Sequence, residues 1–379
     1  MSAVLPVLTA DETAEVLPAL PAFSPALPRN LPELSAALAP FFEESHTLPA
    51  THIFTLRKAT ISWHTVVFNN LRVFRPALAH VRLEADYTDS YLFKQWLAPK
   101  AAADGPIALV HDQWTRENYY HWMIDSLPRL LVLRQQHPEA TLLMPAPVPD
   151  YVRKTAALLG FERLFLLAES QVLPVRCLLV PERAAPPGLQ NPQLLRQVRA
   201  ELVRGLHPAG ALPVPSRRIY ASRARQHTRR LSNEAAATAQ LARHGFETVH
   251  FEDLTFAQQV ALMLETAVLV GVHGANLTNL LFLQPGAQVM ELMNEDKLVK
   301  LGNKDFENLI YFRMSSCLGL PYCAVPCQTA AGQEVSNNAD MTLNLEELQR
   351  VLSRLPHPAG VAIEGDGRAP GESWRRTAE

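Results

Sequence analysis

The segment His273-Gly274-Ala275-Asn276-Leu277-Thr278-Asn279 follows directly on the apolar run Ala267-Val268-Leu269-Val270-Gly271-Val272, which has the composition of a fully buried parallel strand. Gly274 and Ala275 leave room for a close backbone approach, and free amide groups at the start of a following helix can bind a phosphate, assisted by Thr278 and Asn279. His273 can donate to the same diphosphate. The plainer reading is that Asn276 or Thr278 caps the helix and His273 satisfies a buried carbonyl. Downstream, Gln284-Pro285-Gly286 turns the chain into Ala287-Gln288-Val289-Met290-Glu291-Leu292. This reads as a strand ending in a carboxylate that either accepts hydrogen bonds from ribose hydroxyls, as acidic residues do in dinucleotide folds, or is simply exposed.

Two further groups carry chemistry. Arg217, Arg218, Arg223, Arg225, Arg229 and Arg230 cluster with His227 just after a strand-like Ile219-Tyr220-Ala221. Such a set can neutralise a diphosphate through the paired donors of arginine, or it forms a solvated basic loop. In Asn118-Tyr119-Tyr120-His121-Trp122-Met123-Ile124-Asp125-Ser126-Leu127-Pro128-Arg129, His121, Asp125 and Arg129 recur at spacings of four, which puts them on one helical face. Asp125 can orient His121 as a general base toward an acceptor hydroxyl, act as the base itself, or bridge His121 and Arg129 in a purely internal network.

The elements that position these residues alternate between strand and helix. Ile107-Ala108-Leu109-Val110 is a strand candidate ahead of a helix from about Tyr119 to Gln136. A second helix begins near Asp150 and stops at Leu159 before Gly160, with strands at Leu164–Leu167 and Cys177–Val180. After the interruption Gly205 to Pro215, the chain gives a strand at Arg218–Ala221 and a helix capped by Asn233 and running to His244. A strand at Glu247–His250 follows, then a helix opened by a Thr255–Gln258 capping box. This alternation predicts an α/β fold whose ligands sit beyond the carboxyl ends of its strands. Earlier in the chain, Thr65 to Phe74 reads as two strand pieces around an Asn69-Asn70 turn.

At 379 residues the chain exceeds one ordinary core, and two domains are expected. The expected organisation is a Pro-rich arm over 1–50, an α/β domain over 51–207 and a second, Rossmann-like domain over 216–335. A helix within 336–355 and a tail over 356–379 complete it. The formal net charge of -2 argues against a polyanion-binding surface, so no nucleic-acid partner is expected. The N-terminus has neither a basic start nor an unbroken apolar segment, and no run reaches the roughly 18 to 20 apolar residues of a spanning helix. An unexported, cytoplasmic protein is therefore expected. The cysteines at 317, 323 and 327 lack a second ligand pair, and no metal or cofactor is expected.

Three groups of residues, in order and spacing, resemble glycosyltransferase family 61: Asn118 to Trp122 with Asp125 and Leu127-Pro128-Arg129; Ile219 to Arg223 with Asn233-Glu234; and His273 to Asn279 with Pro285-Gly286 and Glu291-Leu292. The resemblance extends over about residues 105 to 330. It implies a GT-B-like architecture of two facing Rossmann-like domains and an inverting, metal-independent transfer from a nucleotide-sugar donor to a glycan or glycolipid acceptor. By position, Arg223, His273, Gly274, Ala275, Thr278 and Asn279 would hold the diphosphate and Glu291 the nucleoside, while Asn118 joins the binding set and His121 and Asp125 face the acceptor. Asn276 stands where many members have glycine. The bacterial branch of the family, in capsule or surface polysaccharide synthesis, fits best, with a UDP-sugar donor and peripheral contact with the inner membrane face. An epimerase or hydrolase on the same scaffold, and a non-catalytic nucleotide-sugar-binding protein, are the competing readings.

Overall fold

The computed structural model describes residues 7–116, 118–207, 210–302 and 308–355. The expected tail over 356–379, the first six residues, part of the expected linker (208–209) and part of the loop near Asp296 to Asn308 (303–307) lie outside the described residues. The fold is mixed α/β and divides into two units. The first comprises Met1–Ser24, Ser45–Gly210 and Asp305–Leu318, and the second Pro25–Glu44, Ala211–Lys304 and Gly319–Glu379.

The main sheet of the first unit has six strands in the order Glu12–Leu17, Thr51–Leu56, Leu178–Pro181, Ile107–Ala108, Thr141–Pro145 and Leu164–Leu167. The last four run parallel, and the first two pair antiparallel at the edge. From Ile107–Ala108 the chain winds outward through Thr141–Pro145 to Leu164–Leu167, then returns to the other side of Ile107–Ala108 as Leu178–Pro181. The order thus reverses between these two neighbours, and a crevice opens at such a reversal beyond the carboxyl ends of the strands. Ile107, Leu109, Leu143, Leu178 and Val180 are all fully buried in one cluster beneath that point.

The helix expected from Tyr119 is present, with a π turn inside it. Tyr119–His121 is α-helical, Trp122–Ser126 is a π turn closed by Leu127 N donating to Trp122 O, and Leu127–Gln136 resumes α-helix. Pro128 explains the widening. It has no N–H for the carbonyl of Ile124, and its ring would clash there in a regular turn. The expected hairpin forms between Val67–Asn69 and Arg72–Val73. Its turn lies one residue later than expected, at Asn70 and Leu71, both with positive φ (46° and 60°), as a primed turn requires.

The second unit is built on a sheet in the order Phe246–Val249, Arg217–Ala221, Thr266–Val272, Gln288–Asn294, Tyr322–Thr329 and Met341–Leu343. Five strands are parallel and the last is antiparallel. Its order also reverses, between Arg217–Ala221 and Thr266–Val272. Val268, Val270, Val272, Met290 and Leu292 pack with Ala237 and Leu241 of the Glu234–Arg243 helix and with Leu348 and Val351 of the Leu345–Leu352 helix.

The Thr255–Gln258 capping box is complete, each side chain bonding the other's backbone. Asn233 departs from its expected role. Its amide makes no cap and instead pairs with the backbone of Leu343, Nδ2 donating to the carbonyl at 2.8 Å and Oδ1 accepting from the amide at 3.0 Å. Part of the Pro-rich arm belongs to this unit. Arg29 N donates to Tyr322 O at 2.8 Å, and the Asn30 amide brackets Ala324, donating to its carbonyl at 2.6 Å and accepting from its N–H at 3.1 Å. The arm thereby covers the stretch of Tyr322–Thr329 that precedes its pairing with Met341–Leu343.

Candidate functional site

In the first unit, the segments leaving the two strands at the reversal converge on the helix start. Asn118 caps that helix, accepting a hydrogen bond from Tyr120 N at 3.0 Å. His121 lies in the first turn and Asp125 one turn on, and His121 Nδ1 meets Asp125 Oδ2 at 2.7 Å. Asp112, following Ile107–Ala108, and Arg183, following Leu178–Pro181, complete the group. Arg183 Nη1 donates to Asp125 Oδ2 at 2.9 Å, while its Nη2 and Nε donate to Asp112 Oδ2 at 2.7 and 3.2 Å.

Arg129 does not bridge to Asp125 by a direct bond, as its spacing suggested. It donates to the carbonyls of Leu109, Val110 and Pro181 and approaches Asp112 Oδ2 at 3.5 Å. The reason is reach across the sheet: the strand ends below offer three carbonyls, of which Val110 O also accepts from Ser126 Oγ, and the guanidinium turns to them.

Two acids and two guanidinium groups thus meet, with Asp112, Asp125 and Arg129 buried and Arg183 partly so. Burial pushes the Asp125 carboxyl up, but the charge of Arg183 and the hydrogen bond from His121 outweigh it and hold the group below its usual value. Burial draws Arg129 down to about 10, whereas Asp112 and Asp125 overcome the same effect at Arg183 and raise it. With Asp125 occupying Nδ1, Nε2 is the nitrogen of His121 left for a ligand. Trp114 lies against the imidazole at a centroid distance of 5.2 Å, and its own ring carries Arg183 at 5.2 Å. A charge-balanced carboxylate behind a half-buried imidazole is the arrangement of a general base. Next to it, His111 is fully buried against Thr115, Met144 and Trp122, and burial lowers it to about 4.

In the second unit, Arg223 and His273 follow the carboxyl ends of the two strands that flank its reversal, where Ala221 and Gly271 are register partners. Gly274 has extended backbone, and the Arg223 guanidinium packs so close to it that a Cβ there would have to displace that side chain. Ala275 opens the 3₁₀ helix Ala275–Phe282, placing its first amides near that guanidinium. Thr278 and Asn279 are buried on the helix. Thr278 Oγ1 has no hydrogen-bond partner among the described residues, and Asn279 Nδ2 donates to Gln259 at 3.1 Å. Asn276 reaches the carbonyl of Ser222 at 3.4 Å. It therefore ties together the two loops at the reversal.

Glu291 differs from its expected setting. The strand continues to Asn294, so Glu291 lies mid-strand rather than at an end. It is 0% exposed, with Oε1 2.5 Å from His273 Nδ1 and Oε2 accepting from Tyr322 Oη at 2.7 Å. Both oxygens thus face protein groups.

The arginine cluster disperses. Arg217 pairs with Glu247 and Glu265, Arg225 with Asp253 and Arg230 with Asp340, while Arg218 donates to the carbonyl of His244. Of the six, Arg223 is the one that lies against Gly274. Cys317, Cys323 and Cys327 are buried free thiols, which burial raises in each case, Cys323 to about 11.

Asp112 and Arg183 were missed as members of the first constellation. The available signal was their place, each a few residues beyond a strand end, but only the strand order reveals that those two ends are neighbours. Among the described residues, no helix is long and apolar enough to cross a membrane.

Comparison with known proteins reaches residues of both groups. Residues 119–290 match the family described as Glycosyltransferase 61. A curated relative, the EGF domain-specific O-linked N-acetylglucosamine transferase of Drosophila melanogaster, is 35% identical over 111 residues, which is 28% of this chain and 21% of that protein. The aligned part is thus about a fifth of that relative's length.

Proposed function

The chain belongs to glycosyltransferase family 61 through residues 119–290, and on that premise we propose that it is an inverting glycosyltransferase, moving a sugar from a nucleotide-diphosphate donor to an acceptor hydroxyl. The observation that carries this reading is the His121–Asp125 pair, fixed at 2.7 Å on a helix at the reversal of its sheet and backed by Arg183. In a single displacement, His121 Nε2 takes the acceptor's proton as the hydroxyl oxygen attacks the anomeric carbon, and the bond to the diphosphate breaks from the opposite face. The developing negative charge falls to Arg223, His273 and the amides at Gly274 and Ala275, with Thr278 and Asn279 completing the cradle. Asn118 sets the start of the helix that carries His121.

The reading extends to a GT-B-like arrangement of two Rossmann-like domains with boundaries near 51–207 and 216–335, a UDP-sugar donor and no requirement for a metal. It also extends to a cytoplasmic role in bacterial surface polysaccharide assembly with peripheral contact to the inner membrane face. UDP-N-acetylglucosamine is the first donor to try, because the relative's name specifies N-acetylglucosamine transfer.

Thermal-shift titration with UDP, GDP, CMP and their sugar conjugates, with and without EDTA, tests the donor half, since a ligand selective for the folded state raises its melting temperature. A shift confined to one nucleotide series and unchanged by EDTA supports the reading. Turnover of the bound donor in the absence of any acceptor points instead to an epimerase or hydrolase. Binding without turnover under any acceptor, unaltered by His121→Ala, points to a non-catalytic binding protein.

A further inference from the structure

Three parallel neighbours, Thr266–Val272, Gln288–Asn294 and Tyr322–Thr329, each contribute one group to a hydrogen-bonded chain that ends at the proposed diphosphate loop. His273 is the first residue beyond its strand, and its backbone N–H donates to Leu292 O at 3.0 Å. Glu291 pairs in register with Gly271 on one side and Ala324 on the other, which places Tyr322 diagonally across on the same face. The result is Tyr322 Oη to Glu291 Oε2 at 2.7 Å and Glu291 Oε1 to His273 Nδ1 at 2.5 Å, with Glu291 wholly buried. Burial pushes the Tyr322 hydroxyl far above its ordinary value, so it remains a donor throughout the working range.

An ionised carboxylate only accepts hydrogen bonds. Nδ1 of His273 must therefore carry a proton, and in the neutral ring Nε2 carries none. A bare Nε2 offers a lone pair and cannot donate to a phosphate oxygen. Among the described residues, the charges that act on the ring oppose one another. Burial first, then Lys297 from the Glu295–Leu301 helix and Arg229, disfavour a second proton, and Glu291 favours it; the balance leaves the imidazole below its ordinary value. Arg223 adds positive charge on the side of Gly274. A diphosphate docked on this loop reverses the balance by bringing negative charge to the same side.

We propose that His273 holds the diphosphate only as an imidazolium, taking up one proton at Nε2 from solvent as the diphosphate binds and returning it on release. Glu291, supported by Tyr322, is the positioning residue that imposes this by fixing the proton on Nδ1. The inference rests on the reading of residues 273–279 as the diphosphate site. It replaces nucleoside contact as the role of Glu291.

The test is an NMR titration of the full chain with isotope-labelled histidine, with and without saturating UDP, the His273 signals being identified by their loss in His273→Gln. The free protein should show the Nδ1–H tautomer at neutral pH. With UDP bound, the midpoint of His273 should rise by on the order of one unit or more, the shift expected when opposite charge arrives within a few ångströms. Between the two midpoints UDP affinity should strengthen about tenfold for each unit of falling pH, beyond the slope due to the phosphate itself.

Glu291→Gln should switch the neutral ring to the Nε2–H tautomer, because Tyr322 claims the amide oxygen and turns the NH2 toward Nδ1, and it should remove that added slope. An Nε2–H tautomer in the unaltered protein, or bound UDP with an unmoved His273 midpoint, overturns the proposal while leaving the diphosphate site standing. Failure of UDP, GDP and CMP all to bind overturns the site and the proposal together.

Discussion

In the first unit, the carboxylate behind His121 is met directly by the Arg183 guanidinium, and its neighbour Asp112 is met by both Arg183 and Arg129. In the second, the carboxylate behind His273 is met by the hydroxyl of Tyr322. Both units thus place a His–carboxylate pair at the reversal of a parallel sheet, but a guanidinium hydrogen-bonds the first carboxylate, whereas at the second pair the cations Lys297 and Arg229 act on the ring of His273. A carboxylate already paired with a guanidinium fixes which ring nitrogen of its imidazole faces a ligand, which suits a general base. A carboxylate met by a neutral hydroxyl favours a second proton on its imidazole against burial, Lys297 and Arg229, which suits a ring that becomes cationic once an anion arrives beside it. The same two residue types acquire different chemistry from their next partners.

The comparison is broken most directly at Arg183. Arg183→Leu leaves two buried carboxylates short of a counter-charge and should cost about 3–5 kcal/mol of stability, read by denaturant unfolding. A cost near that of an exposed ion pair would mean that the network does not hold the unit together.

His121→Ala should lower transfer by roughly 10²–10⁴-fold while leaving nucleotide binding intact. Equal losses in binding and turnover would place the residue in substrate affinity rather than proton transfer.

Acid should act on the first unit through His111, whose folded value near 4 lies below the ordinary 6.5. The unfolded chain binds this proton more readily, so the stabilisation is complete above about pH 6.5. It is lost progressively as pH falls toward 4, amounting to about 3 kcal/mol. His111→Gln, compared with the unaltered chain in unfolding curves over pH 4–7, should flatten that dependence; an unchanged curve assigns it elsewhere.

The smallest effect belongs to Tyr322→Phe. Removing the hydroxyl leaves one oxygen of Glu291 without a donor and should cost about 1–2 kcal/mol, less than Arg183→Leu because a neutral hydrogen bond is lost rather than a counter-charge. Equal costs at the two positions would erase the distinction between the pairs.

What the sequence disclosed and what it withheld divide by distance along the chain. The Thr255–Gln258 box, the buried Thr266–Val272 strand and the contact of His121 with Asp125 all follow from residues within one or two turns of each other, where periodicity and capping chemistry act. Asn233 marks a helix start correctly, yet its amide goes to Leu343, 110 residues away. The arginine cluster reads as one diphosphate-binding set or one basic loop because the acids that divide it, Glu247, Glu265, Asp253 and Asp340, are remote in sequence. Asp112 and Arg183 are likewise joined by strand order alone. Glu291 reads as a strand end because the strand reads as stopping at Leu292, two residues early, and its partner Tyr322 lies beyond two helices, Glu295–Leu301 and Ile310–Cys317.

The pairing of Asn30 with Ala324 has a practical consequence for anyone dissecting the molecule. Its proline content makes the N-terminal arm an obvious segment to trim, but removal of residues 25–44 would bare the backbone of the strand that carries Tyr322. An unpaired strand of that kind is a template for association with other chains. The same cut would loosen the far end of the Tyr322–Glu291–His273 chain. A shortened protein that precipitates, or that survives with an altered nucleotide response, would be reporting on that lost border rather than on any property of proline-rich sequence.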